Sequence, residues 1–252
     1  MRLLVAGDKE PVSVENPGGC SDLVLLGDHA GRLIPTQLGD LGLGPAELER
    51  HIAWDIGVAG LGARLAERLD AAFIRQAYSR LVIDCNRGLG SDGSIPALSD
   101  GTAIEGNTAL SAAERAVREG EIFAPYHAAI GAELDQRARP STVVVSLHSF
   151  TPNLAGALRP WRFGVLHRGD SAFSSAMLRA LTELCGDDVG DNQPYAMDGT
   201  DFTIPHHADP RGLDYLELEV RQDLIASAEG QARIADMLAP ILTVCRHQAR
   251  PR

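Results

Sequence analysis

Four apolar runs of the sequence each contain, or are directly followed by, a polar side chain that could act in catalysis or bind a metal ion. His29 follows the run DLVLLG, and His148 lies at the end of the run TVVVSLHSF. Asp84 lies near the end of YSRLVIDC, and Glu219 lies in the alternating run YLELEV. Short β-branched and apolar runs predict buried strands. Because open α/β sheets hold their functional groups at the carboxyl ends of the strands, we expect these four side chains to lie near one another.

Two imidazoles from different strands indicate a metal site. Imidazole nitrogen suits zinc, and a catalytic zinc ion typically has three protein ligands and a water molecule. His29 and His148 would supply two ligands, so a third is required. A carboxylate on another strand, such as Glu219, would then be a natural general base for water. Arg87 and Arg221 lie beside the predicted strand ends, which favours an anionic substrate held through its carboxylate.

Each of these residues also has an ordinary structural interpretation. Asp84 and Arg87 could form a local ion pair, and the alternation through Glu219 and Arg221 is typical of a half-exposed strand. Arg80 could bind substrate or could be a buried partner of Asp84, and the sequence favours neither use. Together the ordinary interpretations are weaker, because four buried strands that all end in polar side chains are hard to explain by packing alone.

Strands alternate with helical segments along the chain. This order predicts an α/β fold with three layers, in which helices cover both faces of a mixed, mostly parallel sheet, and we expect one domain over residues 1–252. A long polar segment, 88–108, is expected to be a lid or rim of a site. The predicted strands are 22–27, 78–85, 142–145, 161–166 and 215–220, and the main predicted helices are 57–77, 111–139 with a break near Pro125, 171–185 and 229–246.

Composition excludes several classes of function. The 252 residues carry a net charge of -11, which argues against a nucleic-acid groove. No apolar run is long enough for a membrane span, and no signal peptide is recognisable, so we expect a cytoplasmic protein whose four cysteines are reduced. Neither a G-x-S-x-G elbow nor a phosphate-binding glycine motif is present, which disfavours a serine hydrolase and a nucleotide-binding protein.

Four separated motifs resemble those of a known family. DHAG, YSRLVIDCNR, SLHSFTP and EVRQDLI are similar, in this order, to segments of the N-formylglutamate amidohydrolase family, and the similarity covers nearly the whole chain. The site also resembles that of zinc carboxypeptidases. The resemblance implies a phosphorylase/hydrolase-like α/β fold and metal-assisted hydrolysis of the amide of an N-acyl, in particular N-formyl, acidic amino acid such as glutamate.

The resemblance implies zinc, or another divalent metal, bound by His29 and His148. One position departs from the carboxypeptidase pattern, in which a glutamate ligand stands three residues after the first histidine. Here that position is Arg32, and a guanidinium cannot bind a metal ion. The third ligand must then come from elsewhere, and Asp55 in HIAWDIG is the first candidate. Asp28 and Asp84 are the alternatives.

The remaining roles are hypotheses from the residue types and their places along the chain. Glu219 is predicted to take the proton of the attacking water and to return it to the leaving amine. His207, in a turn-rich tract before the last strand, is predicted to donate a hydrogen bond to the tetrahedral intermediate. The substrate carboxylate is predicted to be bound by Arg80, Asn86, Arg87 and Arg221.

Two other functions remain open at this point. One is a metallopeptidase or deacylase that acts on another acylated amino acid. The other is a small-molecule-binding domain without a complete metal site, an interpretation that Arg32 favours. In each case the expected partner is a small anionic molecule, and the sequence does not fix the oligomeric state.

Overall fold

A computed structural model of the protein describes residues 2–137, 141–169 and 171–248. The strands in chain order are β1 (Val12–Glu15), β2 (Leu23–Gly27), β3 (Ala72–Gln76), β4 (Leu98–Ser99), β5 (Thr102–Ala103), β6 (Val143–Phe150), β7 (Asn153–Leu154), β8 (Ala157–Leu158), β9 (Phe163–Leu166), β10 (Val189–Asp191) and β11 (Asp214–Arg221). The α-helices are α1 (Pro45–Leu48), α2 (Val58–Leu69), α3 (Ala112–Arg118), α4 (Ala124–Arg137), α5 (Ala172–Cys185), α6 (Thr203–His207) and α7 (Ala228–Gln248).

Seven of the strands form one sheet in the order β1-β3-β2-β6-β11-β9-β10. The pairs β2–β3, β2–β6, β6–β11 and β9–β10 are parallel, whereas β1–β3 and β9–β11 are antiparallel. The two central strands, β2 and β6, are buried along their whole length, as the uninterrupted apolar runs predict. The predicted mixed, mostly parallel α/β sheet is therefore confirmed. One domain over the whole chain stays a prediction.

Side chains that alternate along the strands divide the core between the two faces of the sheet. Leu23 and Leu25 of β2 pack in one cluster with residues of α2, α5 and α7. Val24 and Leu26 point to the opposite face and pack in a second cluster with residues of α4. This alternation of period two confirms three layers, with helices on both faces of the sheet.

The prediction was wrong over residues 57–85. A helix over 57–77 and a strand over 78–85 were expected, but α2 ends at Leu69 and the strand is β3, Ala72–Gln76. Asp70 adopts a left-handed conformation with φ 50°, which ends the helix. The four-residue spacing of apolar side chains that predicted the helix includes Phe73. In the structure, however, Phe73 belongs to β3. Residues 79–87 form turns that hydrogen-bond to other loops, and these turns carry several polar groups of the site.

The helix predicted from Ser111 to Arg139 is built from two pieces. Ser111 caps α3 with the predicted capping box to Glu114. A π-helical turn, Glu119–Phe123, joins α3 to α4, just before Pro125. A widened turn suits this position because proline lacks the N–H that a regular helix would use. Arg139 lies outside the described residues.

Within the described residues, no helix has the length and apolar character that crossing a membrane requires. All four cysteines lie in the described part of the chain, and none of them forms a disulfide. Two are buried and one, Cys20, is exposed.

A pair of buried histidines connects α4 to α6. The turn-rich tract before the last strand contains the short helix α6, which ends at His207. The Nδ1 atom of His127 lies 3.0 Å from Nε2 of His207, and Nε2 of His127 lies 3.0 Å from the carbonyl oxygen of Cys85. A carbonyl only accepts, so Nε2 of His127 carries the proton and its Nδ1 accepts from His207. Both of these hydrogen bonds are made when the two rings are neutral.

Burial lowers the pKa of His127 to about 4 and, with the neighbouring imidazoles, lowers that of His207 to about 3. The same groups titrate near pH 6.5 when the chain is unfolded. As the pH falls from about 6.5 to about 4, the unfolded state binds more protons than the folded state. The free energy of unfolding therefore decreases. We expect the two histidines to account for a loss of about 2–4 kcal/mol between about pH 6.5 and pH 4.5.

This pH dependence can be measured by urea denaturation of the wild type and of a variant with both His127→Gln and His207→Gln. Contributions from all other groups are common to the two proteins and cancel in the comparison. The variant should lose less stability than the wild type as the pH is lowered. Equal losses in the two proteins would contradict neutral, buried imidazoles at these positions.

Candidate active site

Three neighbouring strands bring the predicted catalytic residues to one edge of the sheet. Asp28 and His29 directly follow β2, while His148 lies near the carboxyl end of β6. β11 runs parallel to β6, in a register that places Glu219 opposite His148. The rings of His29 and His148 lie 5.1 Å apart, centroid to centroid. Both imidazoles and the carboxylate therefore meet at one place, as the sequence predicted.

Asp55 joins the two histidines from the loop before α2. Its backbone N–H donates to the carbonyl oxygen of His29 at 2.9 Å, which fixes the loop against the end of β2. Its Oδ2 lies 3.1 Å from Nδ1 of His148 and 3.6 Å from Nδ1 of His29. One ligand atom from each of the three residues lies within 4.8 Å of the others. Among the three carboxylates considered from sequence, Asp55 is the one at this position.

The two alternative carboxylates contact the far side of the imidazoles. Nε2 of His29 donates to Oδ1 of Asp84 at 2.6 Å. Nε2 of His148 lies 3.0 Å from Oγ of Ser146 and 3.5 Å from Oδ2 of Asp28. Metal-binding histidines typically hold their second nitrogen in this way, so that the other nitrogen faces the ion. Nδ1 of His29 is buried and has no hydrogen-bond partner within residues 2–137, 141–169 and 171–248. This donor set fits a metal ion.

The charges of the site favour a cation. Burial lowers the pKa of His29 and so does Arg80, but the carboxylates of Asp84 and Asp55 outweigh them and raise it above its usual value. Burial also opposes the charged form of His148, yet Asp28 and Asp55 raise its pKa well above the usual range. Three buried carboxylates thus draw positive charge onto two imidazoles. A divalent ion would compete with those protons, because imidazole binds metals in its neutral form.

Glu219 presents one carboxyl oxygen that has no hydrogen-bond partner among the residues that the structure describes. The residue is buried, and its Oε2 has no hydrogen-bond partner. Burial raises its pKa to about 7, with His148 acting in the opposite direction. A carboxyl group with a pKa near neutrality can both accept and return a proton at physiological pH.

Arg80 combines the two uses that the sequence left open. Its Nε and Nη2 donate to Oδ2 of Asp84 at 3.1 and 2.7 Å, so it is the ion-pair partner of that carboxylate. Its Nη1 lies 3.5 Å from Oδ1 of Asp55, and the side chain also lines the cavity. The nearby carboxylates outweigh burial and raise the pKa of Arg80, so the guanidinium stays charged.

Asn86 and Arg87, together with the segment before α6, form the cavity wall next to Arg80. Oδ1 of Asn86 accepts from the backbone N–H groups of Phe202 and Thr203 at 3.0 and 2.9 Å. Nη1 of Arg87 donates to Oδ1 of Asp201 at 3.0 Å. Arg87 is partly exposed and keeps further donors, so an anion in the cavity could reach it.

These groups line a cavity of about 280 Å³. Seven of the nine residues singled out from sequence border it: His29, Asp55, Arg80, Asn86, Arg87, His148 and Glu219. Sequence reasoning missed other lining residues, among them His51, Thr151, Leu166, Tyr195, Asp201 and Glu217. For Glu217 a signal was present, since it lies two positions before Glu219 on the same face of a strand. Tyr195 and Asp201 lie in an irregular tract, where no periodicity indicated their positions.

Close packing at Gly164 helps to bring Tyr195 to the cavity. Gly164 of β9 pairs with Glu219 of β11. A Cβ atom at Gly164 would lie 2.1 Å from the carbonyl oxygen of Gln193. Only glycine lets the segment 192–196 pass this close to the sheet.

The structure does not bring His207 and Arg221 to the cavity. His207 lies on α6, and its ring stacks on the ring of His127 of α4. It does not border the cavity, so it cannot reach a reacting carbonyl group there. The guanidinium of Arg221 donates to Asp223 and to the carbonyl oxygens of Pro160 and Trp161, none of which borders the cavity. The proposed roles of these two residues in catalysis and in substrate binding do not fit their positions.

The polar segment 88–108 forms the side of an adjoining cavity of about 410 Å³. Gly93, Pro96, Ser99 and Asp100 border this second space. It shares Arg80 and Arg87 with the first cavity, so the two spaces adjoin at the guanidinium groups. Its position is that of a rim, as expected from the sequence.

Arg32, which raised the question of an incomplete metal site, is exposed and lies away from the imidazoles. It forms an ion pair with Glu49 at 2.9 Å and lies over the ring of Trp54. Asp55, which is distant in sequence, lies where a third ligand would be needed beside the two imidazoles. The side chain of Arg32 therefore leaves the space between the imidazoles free for such a ligand.

Comparisons with known proteins agree with this geometry. The crystal structure of gene product Atu2144 from Agrobacterium tumefaciens is similar over 97% of this chain and 98% of that chain, at 36% identity and a TM-score of 0.92. The N-formylglutamate amidohydrolase from Ralstonia eutropha JMP134 shares the fold over 95% of this chain and 98% of its own, at 21% identity and a TM-score of 0.72. None of the curated proteins compared with the chain matches it.

The family model of N-formylglutamate amidohydrolase matches residues 21–226. This range includes the three strands and the loops that carry the candidate site. The protein is accordingly a hydrolase that acts on an amide bond. The chain belongs to the N-formylglutamate amidohydrolase family.

Proposed function

We propose that the protein is a metal-dependent amidohydrolase that removes a small acyl group, formyl in the first place, from an N-acyl amino acid. The observation that carries this proposal is the meeting of His29, Asp55 and His148 opposite the unpartnered carboxyl group of Glu219. Membership of the family supports the reaction type. The substrate and the metal are inferred from the chemistry of the residues.

His29, His148 and Asp55 would hold the metal ion. Two imidazoles and a carboxylate are the ligand set of many catalytic zinc sites, so zinc is the best match. When bound, such an ion supplies Lewis acidity to the scissile carbonyl group and lowers the pKa of water. Asp84 and Asp28 orient the two imidazoles from behind, so that the ligand atoms are already in place before the ion arrives.

Glu219 is the general base and then the general acid. Its free oxygen accepts a proton from the attacking water, and the protonated carboxyl group then donates that proton to the leaving amine. Both transfers need a group whose pKa lies close to the working pH, and burial gives Glu219 such a pKa. The reaction consumes one water molecule and yields an acid and a free amine.

Arg80, Arg87 and Asn86 bind the α-carboxylate of the substrate. This anion is common to all N-acyl amino acids, and arginine binds a carboxylate through paired hydrogen bonds. Arg80 stays fixed by Asp84, which lowers the entropy that binding would otherwise cost. His207 and Arg221 have no part in this scheme, since neither borders the cavity.

N-formyl-L-glutamate is the substrate to assay first, because the resemblance implies an acidic amino acid. A deacylase for a larger acyl group is the second candidate, and the adjoining space of about 410 Å³ beside the arginines favours it. Comparison of formyl and longer N-acyl derivatives of one amino acid distinguishes the two. Faster hydrolysis of the longer derivatives would select the second candidate.

Metal affinity should depend on the carboxylate behind His29. Asp84→Asn keeps the shape of the side chain but removes the charge that holds Nε2, and we expect about a 10- to 100-fold loss of zinc affinity. Competition with a chromophoric chelator measures this loss. Asp198→Asn is the matched control, because Asp198 borders the same cavity but contacts neither imidazole. Equal affinity of Asp84→Asn and the wild type would exclude the proposed role of Asp84.

Removing the general base should slow hydrolysis without loss of zinc. Glu219→Gln is expected to lower kcat by about 100- to 10,000-fold, because the amide cannot accept the proton of water. Steady-state assays of formate release at equal zinc occupancy provide the measurement. Glu183→Gln, on the exposed side of α5, serves as the control and should behave as the wild type. Unaltered turnover of Glu219→Gln would remove this residue from the mechanism.

A further inference from the structure

Thr203 lies at the start of α6 and connects the cavity wall to a carboxylate behind the metal site. Its side chain is fully buried, and its backbone N–H donates to Oδ1 of Asn86 at 2.9 Å. Its Oγ1 lies 3.0 Å from Oδ1 of Asp28 and 3.3 Å from the carbonyl oxygen of Cys85. A hydroxyl group has one proton to donate, and a charged acceptor forms the stronger hydrogen bond, so the proton goes to Asp28. The proposed mechanism does not use Thr203.

Asp28 orients the ring of His148 through Ser146. A metal ion bound at Nδ1 of His148 leaves the proton of this ring on Nε2, and Oγ of Ser146 lies 3.0 Å from Nε2 to accept it. Ser146 then donates its own proton to Oδ2 of Asp28 at 3.2 Å. The position of Asp28 therefore determines where Nδ1 of His148 points.

Asn86 makes the corresponding contact behind His29. Its backbone N–H donates at 2.9 Å to Oδ1 of Asp84, the atom that also accepts from Nε2 of His29. Since Thr203 bonds both to Asn86 and to Asp28, one chain of hydrogen bonds joins the two carboxylates. We call the residues Asp84, Asn86, Thr203 and Asp28 the rear chain. It holds both imidazoles from behind.

The amide group of Asn86 belongs both to the rear chain and to the lining of the cavity. Its Oδ1 accepts from the N–H groups of Phe202 and Thr203, which fixes the direction of Nδ2. Nδ2 reaches Oδ1 of Asp201 only at 3.4 Å, which is long for a hydrogen bond, and it carries a second N–H. A carboxylate beside Arg87 can therefore accept from Nδ2. Such a carboxylate would fix Asn86 and, through Oδ1, the position of Thr203.

We propose that Thr203 is a positioning residue that couples the binding of the metal ion to the binding of the substrate carboxylate. This inference rests on the proposed function, because it concerns the same metal site and the same anion. A metal ion between the imidazoles orders the rear chain through Asp28 and Asp84, and a carboxylate orders it through Asn86. Each ligand then lowers the conformational cost of binding the other. By thermodynamic linkage the two effects are equal in size.

The test measures the zinc affinity of the metal-free protein by chelator competition, with and without saturating glutarate. Glutarate carries both carboxylates of glutamate but no amide bond, so it is not hydrolysed. We expect it to raise the zinc affinity of the wild type by about 5- to 20-fold. Thr203→Val keeps the shape of the side chain without the hydroxyl group, and it should reduce this gain at least about threefold. Any direct contact between glutarate and zinc is common to both proteins and cancels in the comparison.

Three control variants separate this coupling from a merely structural role. The phenol of Tyr126 donates to the same Oδ1 of Asp28 at 2.8 Å but makes no hydrogen bond to Asn86, so Tyr126→Phe should lower zinc affinity and keep the gain from glutarate. Thr203→Ser retains the hydroxyl group and should keep the gain. Thr142 is a buried threonine whose hydroxyl has no hydrogen-bond partner within the described ranges, so Thr142→Val should behave as the wild type.

An equal gain in the wild type and Thr203→Val would overturn the coupling role of Thr203, and so would the absence of any gain in the wild type. Loss of the gain in Thr203→Ser, or an equal loss in Thr203→Val and Tyr126→Phe, would also overturn it. All of these results leave the metal site and the amidohydrolase proposal intact. A wild type that binds no zinc would overturn the proposed function and this inference with it.

Discussion

The candidate site depends on one electrostatic constraint, the concentration of negative charge around two buried imidazoles. Asp28, Asp55 and Asp84 are almost fully buried within a few ångströms of His29 and His148. Buried carboxylates are stable only when they are paired or hydrogen-bonded to groups that compensate their charge. Protons on the imidazoles or a bound cation can provide that compensation. The same charges that would destabilise an apolar core therefore favour a cation at this edge of the sheet.

The strand order of the fold brings these charged residues together. β2, β6 and β11 are adjacent and parallel, so their carboxyl ends present residues that are more than a hundred positions apart in sequence. The apolar layers on both faces fix the three strands, and the polar groups need only short loops to reach one another. Asp55 and Asp84 come from such loops, and backbone hydrogen bonds to His29 and Ser94 hold them in place.

Much of this arrangement could be predicted from sequence. Uninterrupted apolar runs identified β2 and β6, and strict alternation identified β11 together with the direction of Glu219. The carboxyl-end rule then placed His29, His148 and Glu219 together. Asp55 could be named only as the first of three candidate carboxylates, because nothing in its local sequence shows that its loop returns to His29.

Other features lay beyond the sequence for physical reasons. The strand β3 was misplaced because the apolar spacing of α2 continued into it, while the helix ended at the left-handed Asp70, which spacing does not reveal. His207 was assigned to the cavity from its position before β11, but its direction depends on packing with His127, a tertiary contact. Glu217 could equally have faced solvent, since alternation fixes the face of a strand but not what covers that face.

The central claim is that His29, Asp55 and His148 bind one metal ion opposite Glu219. Crystals grown with zinc and measured on both sides of the zinc absorption edge test it most directly. We predict one strong anomalous peak about 2 Å from Nδ1 of each histidine and from Oδ2 of Asp55. Zinc-loaded crystals with no anomalous peak between these three residues, or with the peak at another set of ligands, would contradict the claim.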